Sequence, residues 1–281
     1  MFRRGEVPFL ITPEVAGRVL GGEGRVSLDL GLSEVEVSFV GRGVVLPDGS
    51  VVDFGDLEEI AGRSGAVFFP REGAVYQVAI SDEHFYKLVP TGGAPTLEVD
   101  GVRMHRTVGI TPEADAGEKL EVLGVRGGRV LDTCTGLGYT ALASLERGGD
   151  LVVSVEFRAE VLRIAGVNPW SRGLFSDGRV HLLLGDVFDV VEAFPDGFFD
   201  YVVHDPPRFS HAGHLYGGEF YARLFRVLRG GGRVFHYTGE PGSRYRRVDL
   251  RRGVMRRLGR VGFTNARYVR RVLGVVCEKP G

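Results

Sequence analysis

Residues 130–141 read VLDTCTGLGYTA, and this stretch decides the fold class. An apolar run ends at Asp132, and a glycine loop then leads into a segment that favours a helix. Glycine lets the backbone come close to a ligand, and the first N–H groups of a helix have no partner within that helix. Gly136 and Gly138, with Ala141 three positions later, also fit the dinucleotide-binding fingerprint, which alone is a weak indication.

Two more acidic residues end predicted strands further along the chain. Glu156 ends the strand 151–156, 24 residues after Asp132, and Asp186 ends the strand 180–186. Ligands of open α/β sheets bind at the C-terminal edge of the strands, where an acid at the position of Glu156 accepts hydrogen bonds from ribose hydroxyls. Each acid alone also fits the cap of the following helix, but three acids in this order favour a ligand site.

Strands and helices alternate along residues 111–281, which indicates a parallel sheet with crossover helices. The last two predicted strands are joined by a tight connection. The predicted strands are 130–132, 151–156, 180–186, 200–204, 233–237, 266–272 and 274–278. The predicted helices are 112–123, 140–147, 158–166, 219–228 and 247–258.

Residues 1–106 differ, because short segments with period-2 apolar residues alternate with turn signals. This pattern predicts a small N-terminal domain that is α+β or mostly β, followed by a second domain at 107–281. We expect the N-terminal domain to help select the substrate. Its predicted elements are a helix at 56–63 and strands at 25–30, 34–40, 43–54, 66–69, 75–80, 85–89 and 96–99.

Residues 111–281 resemble the class I S-adenosylmethionine-dependent methyltransferases. In that family an Asp-x-x-x-Gly-x-Gly loop wraps the amino-acid part of the cofactor, one acid binds the ribose, and another meets the adenine amino group. The resemblance implies a Rossmann-like α/β fold whose mostly parallel sheet ends in an antiparallel hairpin, at 266–278. The whole chain, with NPWS at 168–171, also resembles a group of predicted archaeal methyltransferases. The residues thereby assigned to S-adenosylmethionine are Asp132, Thr133, Thr135, Gly136, Gly138, Glu156, Asp186 and Asp205.

Residues 202–209 read VVHDPPRF and follow the fourth predicted strand of the second domain. Proline fixes φ and lacks an N–H group, so Asp205 stands at a rigid corner beside the expected crevice. The segment resembles methyltransferases that modify exocyclic amino groups, in which an Asp or Asn precedes Pro-Pro and an aromatic residue. The resemblance implies that Asp205 orients the target amine. The candidate catalytic residues are Asp205, Pro206 and Phe209.

The segment also departs from that motif, because Arg208 takes the aromatic position and Phe209 follows it. Asp-Pro-Pro-basic-Phe resembles RNA methyltransferases that act on carbon 5 of cytosine, and that chemistry needs a cysteine nucleophile. The corresponding later strand reads HYTG at 236–239, without a cysteine. Methylation of a nitrogen is therefore favoured over methylation of carbon 5.

The formal net charge is −1, which at face value argues against a nucleic-acid partner. Residues 244–271, however, hold eleven Arg and one acid, so this segment alone carries +10. Sequence-independent affinity for nucleic acid comes from such charge, and arginine suits bidentate phosphate contacts, so RNA is the predicted partner. A solvated helix face paired with acids elsewhere is the alternative. The candidate RNA contacts are Arg208, His211, Arg247, Arg251 and Arg252.

Composition excludes several other classes of protein. Two distant cysteines, Cys134 and Cys277, cannot form a disulfide framework, and they predict a cytoplasmic location. No apolar run approaches the roughly 18 residues of a membrane span, and residues 1–11 show no signal-peptide pattern. The histidines near the predicted sheet edge lack the spacing of metal ligands, so no metal is predicted.

The sequence therefore predicts a cytoplasmic methyltransferase that uses S-adenosylmethionine and most simply methylates a nitrogen of an RNA base, in tRNA or rRNA. An aminopropyltransferase that acts on a polyamine, or a methyltransferase for protein or a small molecule, remains open. A nicotinamide-dependent oxidoreductase is allowed by the glycine loop, but Asp132 and the corner at Asp205 argue against it. A non-enzymatic RNA-binding module is the last alternative.

Overall fold

The computed structural model describes residues 7–207, 212–239 and 250–281. These residues form two compact units. The first unit runs to Pro112 and also includes Glu160–Ser176, and the second comprises Glu113–Ala159 and Asp177–Gly281. The predicted division into domains at 1–106 and 107–281 stays a prediction.

Two helices and short antiparallel strands make up the first unit as far as Pro112. Helix α1 (Pro13–Leu20) is missing from the sequence prediction, although its start signals are present. Thr12 Oγ1 accepts a hydrogen bond from the Val15 N–H at 3.2 Å, and Pro13 takes the first helical position. In chain order the other elements are β1 (Arg25–Val26), β2 (Val35–Glu36), β3 (Ser38–Val40), β4 (Gly43–Val45), β5 (Val51–Asp53), α2 (Phe54–Ala61), β6 (Phe68–Arg71), β7 (Ala74–Gln77), β8 (Ala79–Ser81), β9 (Phe85–Val89), β10 (Thr96–Val99) and β11 (Val102–Arg103).

These strands form four small antiparallel sheets among the described residues: β1 with β2, β6 with β7, β3-β4-β5, and β11-β10-β9-β8. The apolar face of α1 packs against α2 in a core that includes Ile11, Val19, Val44, Leu57 and Ile60. The predicted α+β character of this part of the chain is confirmed.

From Pro112 onward, strands and helices alternate as the sequence predicts. The elements are α3 (Pro112–Leu123), β12 (Arg129–Asp132), α4 (Tyr139–Glu146), β13 (Leu151–Glu156), α5 (Ala159–Ala165), α6 (Arg172–Ser176), β14 (Val180–Leu184), α7 (Val187–Val190), β15 (Phe199–His204), α8 (Gly218–Val227), β16 (Leu228–Tyr237), α9 (Leu250–Val261), β17 (Thr264–Val269) and β18 (Gly274–Glu278). Short 3₁₀ turns lie at Pro169–Ser171, Val191–Ala193, Gly213–Tyr216 and Arg270–Val272.

The second unit contains a seven-stranded sheet in the described residues, in the order β14-β13-β12-β15-β16-β18-β17. Strands β14 to β16 in this order are parallel, and β18 is antiparallel to both β16 and β17. The inner strands are nearly continuous apolar runs, because a parallel sheet is covered on both faces. The predicted mostly parallel sheet with an antiparallel C-terminal hairpin is confirmed.

Several details of the prediction are wrong, and three of them concern Asp186, β17 and α9. β14 ends at Leu184, so Asp186 caps helix α7 and does not end the strand. Strand β17 is Thr264–Val269, where 266–272 was predicted, because a 3₁₀ turn follows it. Helix α9 continues to Val261, where an end at 258 was predicted; its first predicted residues, 247–249, lie outside the described residues.

Candidate functional site

The glycine loop between β12 and α4 has the backbone shape that the sequence predicts. Gly136 and Gly138 have φ of +55° and +83°, a region that side chains with a Cβ rarely adopt. The loop is tied to the neighbouring strands, because the Thr133 and Thr135 N–H groups donate to the carbonyl oxygens of Val203 (3.0 Å) and Val155 (2.9 Å). The start of helix α4 is thereby held at the C-terminal edge of the sheet.

Asp132 lies beneath this loop and is fully buried. Its carboxylate accepts hydrogen bonds from the hydroxyls of Ser154 at 2.7 Å and Thr140 at 3.0 Å, and Ser154 is bonded in turn to Thr135 at 2.7 Å. Burial raises the pKa of Asp132 to about 7, although both hydroxyl donors favour the charged form. The carboxylate therefore joins the loop, helix α4 and strand β13.

Glu156 ends β13 and turns back towards the loop. One carboxylate oxygen accepts the N–H of Gly136 at 2.8 Å, and the other accepts the N–H of Arg158 at 2.9 Å. Burial raises the pKa of Glu156 against the effect of these donors. Since each carboxylate oxygen has a second lone pair, Glu156 can still accept hydrogen bonds from a bound diol.

Phe157 follows Glu156 directly and is 60% exposed, with the guanidinium of Arg158 5.1 Å from its ring centroid. An exposed aromatic side chain at the ligand edge of a parallel sheet offers a flat apolar surface. Phe157 is not among the residues predicted from the sequence. The signal was an aromatic residue directly after the acid that ends a predicted strand.

Asp186 caps α7, where its side chain accepts the N–H of Phe188 at 2.9 Å. His214 Nε2 lies 3.1 Å from the other carboxylate oxygen of Asp186. The His214 ring meets Phe188 edge to face, and the Arg223 guanidinium lies 3.6 Å from the Phe188 ring centroid. Asp186 thus has a structural role as a cap and also a partly exposed carboxylate.

Asp205 follows β15 and is held by a buried lysine. Lys119 Nζ of helix α3 lies 2.5 Å from Asp205 Oδ2 and 2.7 Å from Asp115 Oδ2, and 4.9 Å from the Tyr237 ring centroid. Burial disfavours the charged form of Lys119, but the two carboxylates outweigh it and raise the pKa of the lysine. Lys119 is not among the residues predicted from the sequence, where its signal was an acid and a lysine four residues apart on one predicted helix.

The Asp-Pro-Pro corner has a second support. Pro206 is buried, and the Tyr216 hydroxyl donates a hydrogen bond to the Pro207 carbonyl at 2.9 Å. Proline removes two N–H groups from this stretch, and the side chains of Lys119 and Tyr216 bond to the Asp205 carboxylate and the Pro207 carbonyl.

The described part of the chain brings most of the predicted cofactor residues to one sheet edge. Asp132, Glu156 and Asp205 end or directly follow three adjacent strands, β12, β13 and β15. No group of three or more metal-ligating side chains is found among the described residues. Residues Arg208, Phe209, His211 and Arg247 lie outside the described residues, so their predicted roles stay predictions.

Of the predicted RNA contacts, Arg251 and Arg252 are described and lie in the first turn of α9. Arg252 is exposed, whereas Arg251 is half-buried with its guanidinium 4.8 Å from the Tyr268 ring centroid. Val254 and Leu258 form the buried side of the helix. In the described stretches, no helix is both long enough and apolar enough to cross a membrane.

A known protein matches this chain over nearly its whole length. The uncharacterized protein MJ1233 of Methanocaldococcus jannaschii is 45% identical over 278 residues, which cover 96% of this chain and 95% of that protein. A local match of 34% identity over 83 residues links 29% of this chain to 15% of polyamine aminopropyltransferase 2 of Streptomyces coelicolor. No protein-family model matches the chain.

Among solved structures, spermidine synthase in complex with the transition-state analogue AdoDATO matches with a TM-score of 0.58 at 18% identity, over 74% of this chain and 76% of that one. Spermidine synthase from Thermotoga maritima matches with a TM-score of 0.55, also at 18% identity, over 74% and 75% of the two chains. These likenesses show the fold, which is the one that class I methyltransferases share with spermidine synthases. The predicted Rossmann-like methyltransferase fold is confirmed.

Proposed function

We propose that this chain, which belongs to the same family as the uncharacterized protein MJ1233 of Methanocaldococcus jannaschii, transfers a methyl group from S-adenosylmethionine to a nitrogen atom. The observation that carries the proposal is the alignment of Asp132, Glu156 and Asp205 at one edge of the sheet. Asp132 and Glu156 support binding of the methyl donor, and Asp205 supports positioning of the acceptor nitrogen.

The residues at the sheet edge fit the donor by their chemistry. S-adenosylmethionine supplies a methyl group on a sulfonium, together with a ribose diol and an adenine. Gly136 and Gly138 leave room for the ligand beside the loop, Glu156 offers carboxylate oxygens to the diol, and the exposed Phe157 offers a flat surface. Asp186, between β14 and helix α7, has a partly exposed carboxylate that can accept a hydrogen bond from the adenine amino group.

The acceptor side depends on Asp205. One of its oxygens is bound by Lys119, and its side chain keeps 23% of its surface exposed. Transfer of a methyl group requires the nucleophile to lie in line with the bond that breaks, so positioning supplies much of the rate. A carboxylate fixed between a rigid Pro-Pro corner and a buried lysine is suited to that task.

RNA is the acceptor molecule that we propose. The support is the charge of +10 on residues 244–271, of which Arg252, Arg256 and Arg260 are exposed on α9. A row of exposed arginines binds phosphates without regard to sequence. We place the reaction in the cytoplasm, because two cysteines far apart in the sequence are typical of proteins from a reducing compartment.

Aminopropyl transfer to a polyamine is the second candidate, and the local match to polyamine aminopropyltransferase 2 favours it. Polyamines carry several ammonium groups and call for unpaired carboxylates around the acceptor. Asp115 and Asp205 share the Lys119 ammonium instead, which weighs against this candidate.

Calorimetric titration separates the candidates at the donor. We expect S-adenosylmethionine to bind more tightly than its decarboxylated form, and Glu156→Ala to weaken binding by roughly ten- to a hundredfold, because it removes a charged hydrogen-bond acceptor. Glu219→Ala, on the exposed side of α8, is the matched control. Absence of S-adenosylmethionine binding to the wild type contradicts the proposed function.

Mass spectrometry of nucleosides from a deletion strain tests the acceptor. Loss of one N-methylated nucleoside, restored by the wild type but not by Asp205→Ala, supports the RNA assignment. An unchanged nucleoside profile with a changed polyamine profile favours aminopropyl transfer, and an unchanged profile of both directs attention to protein or small-molecule acceptors.

A further inference from the structure

The ion cluster of Asp115, Lys119 and Asp205 bears on the charge of the acceptor, which the sequence motif around Asp205 does not specify. Lys119 is 6% exposed, and its ammonium contacts one oxygen of each carboxylate and the face of Tyr237. The three charges leave the cluster with a single negative unit. Asp205 Oδ1 has no hydrogen-bond partner among the described residues, so one acceptor oxygen remains for a ligand.

From this arrangement, and resting on the proposed function, we propose that Lys119 restricts the acceptor to an uncharged amino group, such as an aromatic amine or an amide nitrogen. Lys119 offsets the charge of Asp205 and occupies Oδ2, which leaves Oδ1 to accept one hydrogen bond from a neutral N–H group. The lysine is a positioning and specificity residue, since it acts through Asp205.

The physical reason is the competition between charge attraction and nucleophilicity. An unpaired carboxylate attracts an ammonium ion and stabilises its proton, and a protonated nitrogen has no lone pair with which to react. In the transfer, the nitrogen lone pair forms the N–C bond while the S–C bond breaks and its electron pair stays on sulfur. One proton then leaves the nitrogen for water. A partly neutralised carboxylate orients a neutral amine without favouring the ammonium form.

The nearby acidic residues divide into two groups, one near the proposed donor position and one near the proposed acceptor position. Asp132 ends β12 and Glu156 ends the adjacent strand β13, and both are bonded to groups around the proposed donor position. These acids therefore suit the positive donor, while the cluster around Lys119 keeps excess negative charge away from the acceptor. Removal of Lys119 would take away the cation that bridges Asp115 and Asp205.

A pair of probes that differ in charge but little in size tests the inference without turnover. Aniline is uncharged near neutral pH, and cyclohexylamine is a cation. Their dissociation constants are measured by NMR titration of the full chain, alone and with S-adenosylhomocysteine. We expect the wild type to bind aniline at least tenfold more tightly, and Lys119→Met to reverse the preference.

Two variants keep the test decisive if Lys119→Met fails to fold. Asp115→Asn removes one negative charge from the cluster and should widen the preference for aniline, and Lys119→Arg should keep the wild-type ratio. Lys87→Met, in β9 and paired with Glu98 at 3.0 Å, is the matched control and should leave the ratio unchanged.

A wild-type preference for cyclohexylammonium overturns the inference, as does an unchanged ratio in a folded Lys119→Met variant or a narrowed ratio in Asp115→Asn. These outcomes are separate from failure of the proposed function, because S-adenosylmethionine binding by the wild type is measured independently. If the protein binds S-adenosylmethionine but prefers cyclohexylammonium, the proposed methyl donor stands and only the restriction to uncharged acceptors is wrong.

Discussion

His204 and His236 lie side by side on the adjacent strands β15 and β16, with ring centroids 4.3 Å apart and both side chains fully buried. His204 Nε2 donates to the Leu215 carbonyl at 3.0 Å, so its Nδ1 accepts from the Thr133 hydroxyl at 2.7 Å. His236 Nε2 is bonded to the Tyr221 hydroxyl at 2.9 Å. The two imidazoles are therefore neutral, and they connect the core of the sheet to the glycine loop.

Burial makes the histidine pair a cause of acid instability. It lowers the pKa of His204 to about 3 and that of His236 well below its usual value. Unfolded histidines take up protons below about pH 6.5, while the folded pair stays neutral. The stability from this pair is thus complete above pH 6.5 and declines as the pH falls, by about 1.4 kcal/mol per pH unit for each histidine.

Urea unfolding between pH 7 and pH 4 measures this effect. The His204→Gln variant should show a flatter dependence of unfolding free energy on pH than the wild type, and the exposed His181→Gln should not. Comparison with the wild type is essential, because the raised pKa of Asp132 contributes with the opposite sign over part of this range. Equal slopes in His204→Gln and the wild type would contradict the prediction.

Asp132 should make donor binding depend on pH near neutrality. Its pKa is raised to about 7 by burial, so a large fraction of the protein carries a neutral Asp132 at pH 6. A bound cation favours the charged carboxylate and lowers its pKa, and each unit of that shift corresponds to about a tenfold gain in affinity. We therefore expect S-adenosylmethionine to bind more tightly at pH 8 than at pH 6.

Calorimetry at the two pH values checks this expectation. Asp132→Asn cannot titrate, so its affinity should be lower and nearly independent of pH, whereas the exposed Asp189→Asn should behave like the wild type. If Asp132→Asn retains the wild-type pH dependence, another group is responsible for it.

The glycine loop and the strand ends beside it could be predicted from the sequence because they depend on local pattern. The loop at 130–141 needs glycines at fixed positions, and strand ends place Asp132 and Glu156 at one edge. The surroundings of Asp205 depend on contacts between distant segments. Lys119 and Asp205 are 86 residues apart, and in the sequence Asp115 and Lys119 are typical of a solvent-exposed i,i+4 pair.

At Asp186 the sequence predicts a strand that is too long. The apolar run before it predicts a strand that reaches the acid, but the chain leaves the sheet after Leu184, and the Asp186 side chain caps the short helix that follows. The energetic choice between one more strand residue and a capped helix start depends on tertiary packing, which periodicity does not contain.

Gly274 should be a sensitive position in the core of the sheet. A Cβ at this residue would overlap the buried ring of Phe235 and approach the His236 carbonyl, so Gly274→Ala is expected to destabilise the protein by about 1–3 kcal/mol. Gly259→Ala is the matched control, since nothing lies within 4 Å of that Cβ in the exposed last turn of α9. The control should be neutral or more stable by up to about 1 kcal/mol. Urea unfolding measures both changes, and equal midpoints in the two variants would contradict the packing argument.

The exposed arginines of α9 should determine how RNA binding depends on salt. Arg252 and Arg256 lie on the exposed side of the helix, opposite the buried Val254 and Leu258. Each phosphate that a protein neutralises contributes about 0.7 to 0.9 to the slope of log affinity against log salt concentration. Replacement of both arginines with alanine should lower that slope by about 1.4 to 1.8 if each contacts a phosphate.

Arg42→Ala, an exposed arginine of the first unit, should leave the slope unchanged. Fluorescence anisotropy with labelled tRNA over a range of salt concentrations gives the slopes, and affinity that does not change with salt would rule out phosphate contacts as the basis of RNA binding.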